Sequence, residues 1–275
     1  MAEEVIIPNI QRKRILEYLK EGKRFDGRAL DEFRELGVEM NISENSEGSC
    51  SVKIGNTEVY AGVKMAIVTP YADGPAEGTL SVGMELGPMA DDDFQSGPPS
   101  IDSIEIARVI DRGIRESKLI DFEKLCIVSG EKVWQVSVDL YAVNNDGNLF
   151  DAAGLAAVTA LANAKIPVYD EKEGRAKHEL SNVSVPIRKE NMCFNVTVHK
   201  IGDAFVLDPT KEEEAISDFR LSMALGDNDG EPMISAMQKG NSGGITEDDM
   251  EKILKLVEDK FSEMFKKFSK IATGK

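Results

Sequence analysis

KVWQVSVDLYAVNNDGNLFDAAGLAAVTALANAKIP, residues 132–167, changes its hydrophobic period halfway along, and that change sets the fold class. Trp134, Val136, Val138 and Leu140 alternate with polar neighbours, the period of a strand with one buried face. Asn144-Asn145-Asp146-Gly147 is a run of turn formers. From 149 to 165 the chain turns alanine-rich, a helix whose small side chains suit close packing against a sheet. Ile166-Pro167 closes it, because proline disfavours helical backbone in the residue before it. Strand, tight turn and packed helix in that order belong to an α+β arrangement.

The same grammar extends upstream. Residues 37–42, 50–54 and 58–68 read as a strand meander, with Gly55-Asn56 as a hairpin turn, and 79–86 as a further strand. A loop over 89–99 precedes Ser100, the expected N-cap of a helix reaching 117, and 125–129 reads as a short strand. Residues 8–23 predict a helix that is locally basic through Arg12, Lys13, Arg14, Lys20 and Lys23. Its charges suit either a solvated face or a contact surface.

Downstream, the charged segment 169–180 reads as an exposed connection and a lobe boundary. Strands follow near 182–187, 192–199, 204–207, 221–225 and 233–238. The last helix opens at Thr246 and carries the apolar stripe Met250, Ile253, Leu254, Val257, Phe261, Met264, Phe265 and Phe268. The expectation is an α+β protein of two related lobes, each a mixed sheet with packed helices. An N-terminal helix and lead-in segment occupy 1–30, lobe one 31–168 and lobe two 181–275.

Composition narrows the function. A formal net charge of −16 argues against a surface that coats nucleic acid, so any nucleic-acid contact must be a local basic patch or shared with a partner. Cys50, Cys126 and Cys193 are far apart, which speaks against a disulfide framework or zinc site and for a reducing cytoplasm. Two histidines give little material for a metal centre or a His-based triad. The sequence shows no secretory leader, no membrane-spanning apolar run, no P-loop and no G-x-G-x-x-G after a strand. No cofactor and no metal are expected.

Four stretches in register add a resemblance. They are Arg24-Phe25-Asp26-Gly27-Arg28, the helix 104–117, Asp146-Gly147-Asn148-Leu149-Phe150-Asp151-Ala152-Ala153, and Val206-Leu207-Asp208-Pro209-Thr210-Lys211-Glu212-Glu213-Glu214. Together they resemble the RNase PH superfamily of phosphorolytic exoribonucleases and their inactive relatives, and within it the non-catalytic ring subunits of the archaeal exosome. The resemblance implies an RNase PH-like fold and pairing with an active RNase PH-like subunit. It further implies a hexameric ring, a trimer of heterodimers, joined by RNA-binding cap subunits and acting 3′ to 5′ on single-stranded RNA.

Phosphorolysis must hold a free phosphate in line with the scissile bond and neutralise developing charge. The resemblance places that phosphate at the start of the alanine-rich helix, where active members follow a D-G-G turn with a small residue and an arginine. Here Asp146-Gly147-Asn148 is followed by Leu149 and Phe150, which offer neither hydroxyl nor positive charge. In the acidic segment Asp208 matches the first position and Glu214 falls where active members carry an aspartate. The run 212–214 otherwise reads as a solvated acidic turn. Arg24, Asp26 and Arg28 read as structural.

The positive case is the helix 100–117. At about 100° per residue, Arg108, Arg112 and Arg115 share a face, with Ile104, Ala107, Val109, Ile110 and Ile114 expected toward the core. Three arginines at this spacing suit successive phosphates of one strand. Against this, Glu105 and Asp111 lie at ion-pair spacing from Arg108 and Arg115. The resemblance favours RNA contact, because the equivalent helix lends arginines to the partner's active site. The expected function is therefore a non-catalytic exosome subunit that binds RNA when paired. The alternatives are an active phosphorolytic exoribonuclease of the same fold, or an α+β interaction protein unrelated to RNA.

Overall fold

The computed structural model describes residues 7–170, 172–228 and 231–273. Residues 1–6 of the expected lead-in and 274–275 of the expected second lobe lie outside this description. In chain order the first half holds helix α1 (Asn9–Lys20), strands β1 (Leu36–Met40), β2 (Gly48–Ile54), β3 (Thr57–Val68) and β4 (Thr79–Leu86). It continues with α2 (Ile101–Glu116), β5 (Cys126–Val128), β6 (Lys132–Asn144) and α3 (Leu149–Asn163). The second half holds β7 (Lys165–Asp170), β8 (Arg175–Ser184), β9 (Cys193–Ile201), β10 (Ala204–Leu207) and α4 (Lys211–Ala215). It ends with β11 (Phe219–Asn228), β12 (Glu231–Gly240) and α5 (Glu247–Thr273).

The first sheet runs β1-β2-β3-β6-β4, with β5 added to β6. β4 lies parallel to β6, while β1, β2, β3 and β5 pair antiparallel. The parallel pair follows from α2, which carries the chain between the two strands as a crossover. The second sheet, β10-β9-β11-β12, is antiparallel throughout.

The alternation in β6 does what its period implies. Val136, Val138 and Leu140 are fully buried and face Met65, Val63 and Ala61 across β3. Each such burial contributes roughly 1.5–3 kcal/mol. α3 lies at the centre, against β2 and β3 on one side and β9 and α5 on the other. Ala152, Ala153, Ala156, Ala157 and Ala160 have no exposed surface, so small side chains set the spacing between the lobes. Within the first lobe α3 packs just as closely on β2: a Cβ at Gly48 would come within 2.6 Å of the Ala160 carbonyl oxygen.

Some expectations change. α3 ends at Asn163, and Ile166 and Pro167 lie in β7. The supposed connection 169–180 is largely the hairpin of β7 and β8, turned by Asp170, whose Oδ1 accepts from the Lys172 and Glu173 amides at 2.9 and 3.2 Å. A two-stranded hairpin with little burial needs no apolar alternation, so its sequence reads as loop. In α5 Thr246 and Asp249 cap each other reciprocally at 3.1 Å, but Leu254 is 41 % exposed rather than part of the stripe. It lies about 100° round the helix from Ile253, which is fully buried.

Candidate functional site

α2 starts where the sequence places it. The Ser100 hydroxyl accepts from the Ser103 amide at 3.2 Å, satisfying one of the free donors of the first turn. Ile106, Ala107, Val109, Ile110 and Ile114 are buried. Ile104 is 48 % exposed and so departs from the expected core face; Ile101, at 84 %, lies on the same exposed stripe.

That stripe continues into the arginines. All three are exposed, but their partners differ. Arg115 is tied down: Nε and Nη2 donate to both oxygens of Asp111 at 3.1 and 2.9 Å, and Nη2 also to the Leu80 carbonyl at 3.2 Å. Its hydrogen bond and charge pairing with Asp111 raise its pKa. Among the described residues Arg112 has only a loose contact with Glu116 at 3.8 Å. Glu105 does not pair with Arg108; it is drawn to Arg220 of β11 and also accepts from Gln238 at 3.2 Å. Among the described residues Arg108 therefore keeps an unpaired guanidinium, one helical turn from Arg112.

The start of α3 is built in the opposite way. Asn148 is left-handed, at φ 60°, and Gly147 before it has φ 84° with no room for a side chain: a Cβ would meet the Pro209 carbonyl at 2.5 Å. That approach brings the turn against Asp208, which is fully buried. Asp208 accepts from Arg28 Nη1 at 2.9 Å, from the Arg34 amide at 2.7 Å and from Arg34 Nε and Nη2 at 2.9 and 2.8 Å. Asn148 Nδ2 adds a further bond at 2.8 Å. Burial alone would raise the Asp208 carboxyl; Arg34, by hydrogen bond and charge, carries it below its ordinary value. Arg34 also donates to the Asp146 carbonyl at 2.7 Å and the Gly147 carbonyl at 3.1 Å, joining the turn to the second lobe.

Arg24 and Arg28 act as structural groups. Arg24 is buried on Glu213 and the Leu207 and Asp208 carbonyls. Arg28 bridges Asp26 at 2.7 Å to Asp208. The run 212–214, expected as a solvated turn, is instead most of α4, opened by a reciprocal Thr210–Glu213 capping box. Its three glutamates meet different fates: Glu212 is exposed, Glu213 is buried on Arg24, and Glu214 points back to α3.

Glu214 Oε1 accepts from the Asn148 amide at 2.8 Å and lies 3.8 Å from Nε2 of His199. Both line a cavity with Leu86, Phe94, Leu149, Phe150 and Arg220. Burial pushes the Glu214 carboxyl up to about 7, with Asp208 adding to the rise and Asn148, Arg220 and Arg34 opposing it. Burial and the charge of Arg220 lower His199 to about 3, so the ring is neutral. The Arg220 guanidinium stacks 4.0 Å above the Phe150 ring. The Leu149 and Phe150 side chains thus supply apolar wall and aromatic face, with no side-chain donor toward an anion.

Arg34, His199 and Arg220 were not among the sequence candidates. Each acts on a group far along the chain, so no local spacing announces it. Among the described residues no cluster of three or more His, Cys, Asp or Glu side chains is arranged to hold a metal ion. No described helix is long and apolar enough to cross a membrane.

Profiles of the 3′ exoribonuclease family match the chain twice, domain 1 over residues 32–167 and domain 2 over residues 191–259. The exosome complex component Rrp42 of Methanothermobacter thermautotrophicus is 42 % identical over 270 residues, covering 98 % of this chain and 97 % of that protein. Its namesake from Thermoplasma acidophilum is 45 % identical over 251 residues, covering 91 % and 92 %. A chain in the structure of the Archaeoglobus fulgidus exosome with RNA bound to the active site superposes with a TM-score of 0.83 at 39 % identity, covering 94 % of this chain and 98 % of that one.

Proposed function

The chain belongs to the 3′ exoribonuclease (RNase PH) family, and from that premise we propose that it is a non-catalytic exosome subunit that lends Arg108 and Arg112 to RNA held by an active partner. The observation that carries the reading is Leu149 and Phe150 at the start of α3, where phosphorolysis needs donors to a free phosphate. Asp208 does not restore the chemistry, because its carboxylate is saturated by Arg28, Arg34 and Asn148.

In this proposal three copies alternate with three active RNase PH-like subunits in a hexameric ring in the cytoplasm, with RNA-binding cap subunits above it. The lobes span 31–168 and 181–275, behind the N-terminal helix and lead-in of 1–30. Arg115 joins the RNA face only as a secondary contact, since Asp111 and the Leu80 carbonyl already hold it.

The test is direct. The purified chain incubated with RNA and inorganic phosphate releases no nucleoside diphosphates, whereas its assembly with an active RNase PH-like partner does. Clear turnover by the lone chain overturns the reading, as does failure of the two proteins to associate.

A further inference from the structure

The basic helix α1 lies outside both the start of α3 and the arginine face of α2. Its Ile15 and Leu19 are buried and pack with Ile201, Val206 and Ile216 of the second lobe, which seats the helix and turns its other faces outward. Arg12, Lys13, Arg14 and Lys20 are exposed, and among the described residues their side chains pair with no acid. Glu17 is the only acid in that stretch of sequence. In a chain of formal net charge −16, these cations make a local field of the opposite sign. The first turn carries no acidic residue and no side-chain cap, so the positive end of the helix adds to the charge of Arg12 and Lys13.

Two aromatic rings stand beside these charges. Tyr18 and Phe25 are 44 % and 52 % exposed, with ring centroids 4.9 Å apart and planes tilted by 58°. The chain turns back at the end of α1 to bring them together: the Gly22 and Lys23 amides donate to the Leu19 and Tyr18 carbonyls at 3.0 Å, and Gly22 takes φ 71°. At about 100° per residue, Tyr18 shares one side of the helix with Arg14 and Ile10, and Lys13 and Lys20 lie together on the flank. Cations and half-open ring faces are thus interleaved on one firmly seated helix.

We propose that this face of α1 docks single-stranded RNA, with its cations on phosphates and Tyr18 and Phe25 against bases. Phosphodiester charge answers the cations, and the open rings select unstacked bases, whose faces a duplex hides. An acidic protein surface would meet the cations but leave the rings without a stacking partner. The surface is separate from the RNA contact proposed for α2. Helix α1 is seated on Ile201 and Val206, whereas Arg108 and Arg112 ride on a helix packed against β4 and β12. The choice of RNA as the single strand rests on the proposed exosome role.

The test uses the whole chain carrying Arg108→Ala and Arg112→Ala as the parent, so that α2 cannot supply the signal. Fluorescence anisotropy reads binding of a short oligouridylate and of an RNA duplex of the same length over a series of salt concentrations. The oligouridylate should bind more tightly, although the duplex carries the denser charge. Lys13→Gln with Arg14→Gln should weaken its binding roughly tenfold and flatten the salt slope by about 1.4. Tyr18→Leu should weaken it at least about fivefold with the slope unchanged, while Tyr18→Phe should stay within about twofold of the parent. Neither replacement of Tyr18 touches the seat made by Ile15 and Leu19, so the helix stays in place. A Tyr18→Leu chain that binds as well as its parent, or a duplex that binds as tightly as the single strand, overturns the proposal and leaves a cationic or protein-docking face. A parent chain that binds neither RNA overturns it outright. These failures leave the non-catalytic reading standing, which falls only to the separate release of nucleoside diphosphates by the lone chain.

Discussion

The exposed face of α2 and the start of α3 differ in where their charges find partners. On α2, Glu105 is turned away to Arg220, so among the described residues Arg108 is unpaired and Arg112 nearly so. At α3 the amide of Asn148, the Asp208 carboxylate and the Arg34 guanidinium are all bound to one another or to Glu214. Unpaired charge can meet a ligand, whereas saturated charge can only hold the fold. Under the proposed function, this difference would divide substrate contact from chemistry, the first on one helix and the second closed off at another.

The largest expected effect tests whether the closed region is structural. Arg34→Ala removes both side-chain bonds to a carboxylate with no exposed surface and frees two carbonyls of the turn 146–147. Breaking such a buried pair costs about 3–5 kcal/mol, read as the shift in denaturant unfolding. A loss below about 1 kcal/mol would mean that Arg28 and Asn148 suffice and that the network is not what joins the lobes.

The open region is tested by Arg108→Ala combined with Arg112→Ala. RNA affinity of the assembled complex should fall roughly ten- to a hundredfold, and the slope of log affinity against log salt should flatten by about 1.4, or 0.7 for each lost phosphate contact. Stability should change by no more than about 0.5 kcal/mol, since both side chains are exposed and weakly paired. Unchanged affinity with an unchanged slope would remove α2 from the RNA path.

These two regions were not equally legible in the sequence. The α2 face could be read because a helix repeats every 3.6 residues, and Arg108 and Arg112 stand at that spacing. The strand of Trp134 and Val136, the turn at 144–147 and the alanine helix were readable for the same reason: periodicity and turn chemistry are local. Periodicity sets faces relative to one another but not how far burial extends, and so Ile104 and Leu254 were misplaced. The α3 site depends on partners 66 residues apart for Glu214 and Asn148, and 174 for Arg34 and Asp208. Nothing in three consecutive glutamates says that one is exposed, one salt-bridged and one aimed at a helix start.

A smaller effect should come from pH. Glu214 is an acid whose folded pKa, about 7, lies above the ordinary glutamate value of 4.5. Its burial therefore costs nothing below about pH 4.5, and the cost grows as pH rises, reaching its full size above about 7. Asp102, Asp208, Arg34, Arg220 and neutral His199 surround it, so the residue bears this penalty without a full ion pair. Asp151, also raised to about 7 by burial, gives both proteins the same trend, and subtracting wild type from Glu214→Gln isolates Glu214. The variant should match the wild type near pH 5 and exceed it by on the order of 1 kcal/mol near pH 8. A gap that is constant with pH would show that Glu214 stays ionised throughout and that the amide and arginines cancel its burial.

The smallest effect is the sharpest test of pairing as the criterion. Arg115 lies on the same face as Arg108 and Arg112, so a reading based on spacing alone gives all three equal weight. The structure does not: Asp111 and the Leu80 carbonyl take its donors. Arg115→Ala should lower RNA affinity of the assembled complex by less than threefold, with almost no change in salt slope. It should also cost a few tenths of a kcal/mol in stability, the usual worth of an exposed i,i+4 pair. An effect on RNA as large as that of Arg112→Ala would mean that RNA competes successfully with Asp111. The contrast between α2 and α3 would then rest on geometry around the ligand rather than on which charges are already paired.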